Sequence, residues 1–131
     1  MKLSTLIKST LALSILSAAA TSYAGTECQL GNECSVPNTL DSVYYAFDTK
    51  QGTKFTCELR ATKGDDIEVT ISSRDDYVFP AVTLKADKSG EMLSTTIPGQ
   101  FKEGATRGKI EVHQTLLTTK AEGTVKCFPQ S

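Results

Sequence analysis

From residue 43 onward, apolar and polar side chains alternate in short bursts, and each burst is bounded by turn residues. A period of two sends successive side chains to opposite faces of an extended chain, and no helix can bury such a pattern on one side. In SVYYAFD, Val43, Tyr45 and Phe47 share a face. After the turn TKQGT, KFTCELRA sets Phe55, Cys57, Leu59 and Ala61 opposite Thr56, Glu58 and Arg60. After KGDD, Ile67, Val69 and Ile71 face one way and Glu68, Thr70 and Ser72 the other.

The alternation continues in YVFPAVTLKA, where Val78, Val82 and Leu84 share a face with Pro80. Proline has no N–H for a ladder, so this strand is expected at a sheet edge or bulged at Pro80. EMLSTTI follows, and the polar loop QFKEGATRG leads into KIEVHQTLL with Ile110, Val112 and Leu116 inward. TVKCF closes the pattern with Val125 and Cys127 inward. About seven strands at this spacing, with no helical stripe, predict an all-β antiparallel sandwich, Ig-like or jelly-roll-like. Residues 25–42 carry no such alternation and read as an irregular segment.

The first residues follow a different logic. Lys2 and Lys8 precede a short apolar run from Leu11 to Ala20, with Ser22 and Ala24 just before Gly25. A basic start, a short apolar stretch and small residues at a cut are the pattern of a secretory signal. The reading is a cleaved segment, residues 1–24, and a single domain, residues 25–131, in the periplasm or outside the cell. Cys28 follows Glu27 rather than a small residue, so no lipid anchor is expected. Without Lys2 and Lys8 the 14 basic residues become 12 against 15 acidic, a net charge of −3. That balance gives no electrostatic case for nucleic acid or an anionic membrane.

Cys28, Cys34, Cys57 and Cys127 form an even set in an exported chain, which predicts two disulfides. The Gly-Asn turn signal in QLGNE lets Cys28 double back to Cys34. Cys57 and Cys127 then pair, and both fall on inward strand faces. Closing a loop of about 70 residues contributes about 4 kcal/mol, against about 2 kcal/mol for the short one.

The chain has a single histidine, His113. Copper or zinc sites built on several imidazoles are therefore excluded, and no metal or cofactor is expected. His113 is out of phase with Ile110 and Val112 and should face solvent or a groove. It is the one candidate base for a small hydrolase, but no G-x-S-x-G elbow accompanies it. Asp65-Asp66 and Asp75-Asp76 flank one strand, so the two pairs cannot meet in one site, and whether either takes part in binding calcium stays open. Tyr44, Tyr77, Phe79 and Phe101 are out of phase with the buried set or in a loop. Such rings are candidates for holding a partner protein or sugar.

Residues 44–71 resemble the opening of the prepeptidase C-terminal domains of secreted bacterial proteins. Tyr45, Phe47, Gly52, Leu59, Asp65 and Ile67 stand at matching places: a strand ending in aromatic-x-Phe, a Gly turn, an alternating strand and an Asp turn into a third. The cysteines are not part of that pattern. The resemblance implies a jelly-roll-like sandwich serving as an accessory or binding module rather than an enzyme. The leading expectation is an exported, non-catalytic module recognising a protein, glycan or envelope polymer. Its rivals are a hydrolase using His113 and a fibre subunit completed by strand addition near Pro80.

Overall fold

A computed structural model of the chain describes residues 25–115 and 120–130; the expected leader, 1–24, and Leu116 lie outside the described residues. The elements are β1 (Thr26–Glu27), β2 (Glu33–Val36), β3 (Val43–Asp48), β4 (Lys54–Lys63), β5 (Ile67–Asp75), β6 (Tyr77–Val78), β7 (Val82–Ala86), β8 (Leu93–Pro98), β9 (Gln100–Phe101), β10 (Arg107–Gln114) and β11 (Glu122–Pro129). Every burst of alternation has become a strand: β3, β4, β5, β7, β8, β10 and β11. Turn chemistry separates them as the sequence prescribes. Between β3 and β4, Asp48 accepts the Lys50 N–H at 2.9 Å while the Gln51 side chain accepts the Asp48 N–H at 2.9 Å. Gly52 then takes φ 94°, a conformation that side chains other than glycine rarely adopt.

The five-stranded sheet has the order β1-β3-β10-β5-β7 and the four-stranded sheet β2-β11-β4-β8; β6 and β9 form a separate small ribbon. The pairing is nested. β2 pairs with β11, β3 with β10, β4 with β8 and β5 with β7, all antiparallel. A long hairpin of this kind, rolled so that successive strands mostly alternate between two sheets, is a jelly roll. The choice left open between an Ig-like and a jelly-roll-like sandwich is thereby decided.

The inward faces meet in one core. Tyr45, Ile110, Val69 and Ile71 come from the five-stranded sheet, and Phe55, Leu59, Ile97 and Val125 from the other; all are fully buried. Removing each such side chain from water contributes about 1.5–3 kcal/mol. Both expected disulfides are present, Cys28–Cys34 and Cys57–Cys127. Cys57 lies directly opposite Cys127, with Cα atoms 4.1 Å apart. Gln130 N–H donates to the Lys54 carbonyl, so alternate pairs along β4 and β11 are hydrogen-bonded and 57–127 is one of the closer, unbonded pairs.

Three features depart from expectation. The segment 25–42 is not wholly irregular: β1 lies parallel to β3, and β2 pairs antiparallel with β11. The strand expected over residues 77–86 is two, β6 and β7, separated at Phe79–Ala81. Its phase is also reversed before Pro80. Tyr77 and Phe79 keep the inward phase of Ile67, Val69 and Ile71 while Val78 is 43% exposed, and the break at Phe79–Ala81 shifts the phase so that Val82, Leu84 and Ala86 turn inward.

Candidate functional site

The broadest array of polar side chains with a ring among them is the outer face of the five-stranded sheet. Strand register builds it. Glu111 of β10 lies between Tyr44 and Ser72, Lys109 between Ala46 and Arg74, and His113 beside Thr70. Lys109 Nζ sits 4.1 Å above the centre of the Tyr44 ring, within cation–π reach. It also lies 4.0 Å from Asp75. Arg74 donates to Glu111 at 2.8 Å, and Lys85 lies 3.4 Å from Glu68. Thr70 and Thr115 share a 2.7 Å hydroxyl hydrogen bond.

Tyr44 is half-buried here and its hydroxyl donates to Glu27 at 3.4 Å. Partial burial, and then the negative charge of Glu27, push its pKa above the ordinary value. The face therefore holds one neutral ring within a lattice of already paired charges. It offers hydrogen-bond donors and acceptors in fixed positions with little net charge.

The other rings proposed from sequence lie elsewhere. Tyr77 is fully buried and Phe79 is 6% exposed, which corrects the expectation that both present themselves to a partner. The cause is the phase shift at Pro80, which separates the odd-numbered inward set before it from the even-numbered one after it. Tyr77 lies 5.0 Å from Phe47, 5.6 Å from Phe55, 5.4 Å from Phe79 and 5.2 Å from Phe101, ring centre to ring centre. Its hydroxyl proton is shared between the carbonyls of Thr53, at 2.8 Å, and Ile97, at 3.2 Å. Gly108 and Gly99 leave it room: a Cβ on Gly99 would stand 2.5 Å from the ring. Phe101 is half-buried against this cluster. These rings are core, and Tyr44 alone of the four belongs to the polar face.

His113 faces outward as expected, but among the described residues no side chain hydrogen-bonds to it. Among the described residues no carboxylate orients the imidazole, and the hydroxyl opposite it, Thr70, is hydrogen-bonded to Thr115 instead. The acidic pairs sit at opposite ends of β5. Asp66 accepts the Lys88 N–H at 3.0 Å, and Asp75 faces Lys109. Among the described residues no three His, Cys, Asp or Glu side chains come together as a metal site would require.

Sequence reading did not single out Lys109, Glu111 or Arg74. Lys109 and Glu111 share the phase of His113 in KIEVHQ, and that was the available signal. Their partners on β3 and β5 depend on register between distant segments, which no local pattern encodes.

No family model matches this sequence, and no curated protein matches it. Among solved structures, the fold is similar to the pre-peptidase C-terminal domain of a collagenase from Bacillus anthracis, with a TM-score of 0.45 and 8% identity, over 79% of this chain and 93% of that one. At 8% identity no family, role or site residue is carried over from it.

Proposed function

We propose that this chain is an exported, non-catalytic module that holds a neutral, hydroxyl-rich polymer, a glycan, on the outer face of its five-stranded sheet. The observation that carries the reading is the Tyr44 ring set among paired charges. Arg74–Glu111 and Lys109–Asp75 have already satisfied each other, so a highly charged ligand gains little there. Sugar hydroxyls both donate and accept, which fits alternating carboxylate, guanidinium and hydroxyl groups. The face is also a poor protein hot spot, since such patches deplete charged residues at their centre. Two disulfides fit an oxidising compartment, which supports export.

Binding of soluble envelope and extracellular polysaccharides, followed by isothermal titration, tests this. Tyr44→Ala is expected to weaken binding at least about tenfold, given that a ring contact and its neighbours contribute more than about 1.4 kcal/mol. An unchanged affinity in Tyr44→Ala, with the fold intact by circular dichroism, would refute the assignment.

A further inference from the structure

We infer that the free edge of β8 is the contact through which a second copy of this chain pairs, antiparallel, with Thr96 at or next to the two-fold axis. β8 ends the four-stranded sheet, and its other side is taken by β4. Gly99 N–H donates to the Thr53 carbonyl, which fixes the parity of the ladder. Leu93, Thr95 and Ile97 aim their backbone groups at β4. Ser94 and Thr96 therefore point their N–H groups outward, and the carbonyls of Ser94, Thr96 and Pro98 point the same way. Their side chains are exposed and uncharged.

The other edges are guarded. β1 is two residues long. β2 carries exposed Glu33 and is tied through Cys34 to Cys28. On β7, Lys85 is exposed, and lysine on an edge strand opposes pairing. β8 alone of the four edges has no charged residue along its length, and its one guard is Pro98 at its last position.

Two features select a second copy as the occupant. Beyond the C-terminal end of β8 lies an apolar groove of about 630 Å³, lined by Val78, Phe79, Pro80, Pro98, Gly99 and Gln100. At the other end of the same strand, Met92 and Leu93 are only half-buried. An antiparallel pair centred on Thr96 places Leu93 of the second copy opposite Gly99 and Met92 opposite Gln100. Each copy then fills the other's groove, as an isologous interface requires. The same pairing sets Ser94 N–H against the Pro98 carbonyl of the second copy, while the Ser94 carbonyl faces the proline nitrogen and gains no donor, so the seam is held by the reciprocal Thr96 bonds and one Ser94–Pro98 bond on either side. It also puts Glu58, beside Ser94, in one row with Lys54 of the second copy, beside Pro98, three strand spacings away, so that the row carries unlike rather than like charges.

Sedimentation equilibrium of the disulfide-bonded chain from about 10 μM to about 1 mM is expected to show monomer and dimer in exchange. Amide hydrogens of Ser94 and Thr96 should exchange freely when dilute and gain protection as concentration rises. Thr96→Lys should weaken dimerisation at least about tenfold without altering the fold, because it places like charges at the axis. Thr96→Pro, which replaces the outward N–H by the proline ring, should act in the same direction. Thr83→Lys on the β7 edge should leave association unchanged. A chain that stays monomeric throughout overturns the inference, as does a dimer weakened by Thr83→Lys but not by Thr96→Lys. Protection of the Ser94 and Thr96 amides that does not depend on concentration also overturns it, and would point to a different occupant.

Discussion

The two open sides of this sandwich are finished in different ways. On the β1/β2 side the chain's own leading segment lies along both sheets and is held covalently by Cys28–Cys34. Tyr45 reinforces that side from within: its hydroxyl proton is shared between the carbonyls of Val125, at 2.9 Å, and Asn32, at 3.0 Å. The β7/β8 side has no covalent tie. Rings around Tyr77 close the end of the sandwich where β8 finishes, drawing on Phe47 of β3 and Phe55 of β4, and the Tyr77 hydroxyl likewise meets two carbonyls, Thr53 and Ile97. One side is thus held by a covalent bond and a short chain segment; the other has neither, and it is the one with a free, uncharged edge. A buried tyrosine is the common device. Its ring supplies apolar area, and its hydroxyl satisfies carbonyls that would otherwise be costly to bury.

The strongest way to break the comparison is at the packed side. Tyr77→Ala is expected to cost about 3–5 kcal/mol in urea unfolding, since it empties a site lined by four other rings. A loss below about 1 kcal/mol would mean the cluster repacks and the two sides are not distinct in kind. On the bonded side, replacing Cys28 and Cys34 by serine should cost about 2 kcal/mol, the closure entropy of a short loop. Hydrogen exchange should then rise in β1 and β2 while the β4–β8 ladder stays protected. Uniform loss of protection would show instead that the leading segment is integral to the whole core.

The smallest effect sharpens the likeness between the sides. Tyr45→Phe and Tyr77→Phe should each cost about 1 kcal/mol near neutral pH, the net value of a hydroxyl–carbonyl bond. Burial pushes both tyrosines up to about 12 from the ordinary value of 10.0. The folded state therefore keeps these protons after the unfolded chain has begun to lose them. Their contribution is complete below pH 10 and is lost as pH rises towards 12. Stability measured across that window should fall, and each phenylalanine variant should flatten the fall. A slope unchanged in both variants would assign the alkaline loss to other groups.

Most of the fold was legible because β3, β4, β5, β10 and β11 alternate strictly, and strict alternation has one solution. The disulfides were legible for the same reason: Cys57 and Cys127 share the phase of Leu59 and Val125. What escaped has an equally local cause. β1 and β2 are short, and their place depends on partners such as Val43 and Val125 far along the chain. Tyr77 and Phe79 read as outward because the phase of Val82 and Leu84 was carried back through Pro80. The signal that corrects this is Pro80 itself, which interrupts a ladder, so the phase before it is set by Ile67, Val69 and Ile71 instead. The candidate face was only half legible. His113 and Tyr44 were placed on outward phases, but the charges around them come from three strands whose register is set by tertiary pairing.

The Cys57–Cys127 bridge has a mechanical consequence. It joins neighbouring strands across a sequence separation of 70. If tension were applied between Gly25 and Gln130, as it would be in a tethered envelope protein, the load would pass through that bond and bypass everything between the two cysteines. Only the leading segment and the last few residues could lengthen, at roughly 3.3 Å per residue, and the Cys28–Cys34 loop shortens even that slack. β5, β7, β8 and β10, which carry much of the candidate face and the free edge, would stay folded under a pull that stripped β2 and β3 away.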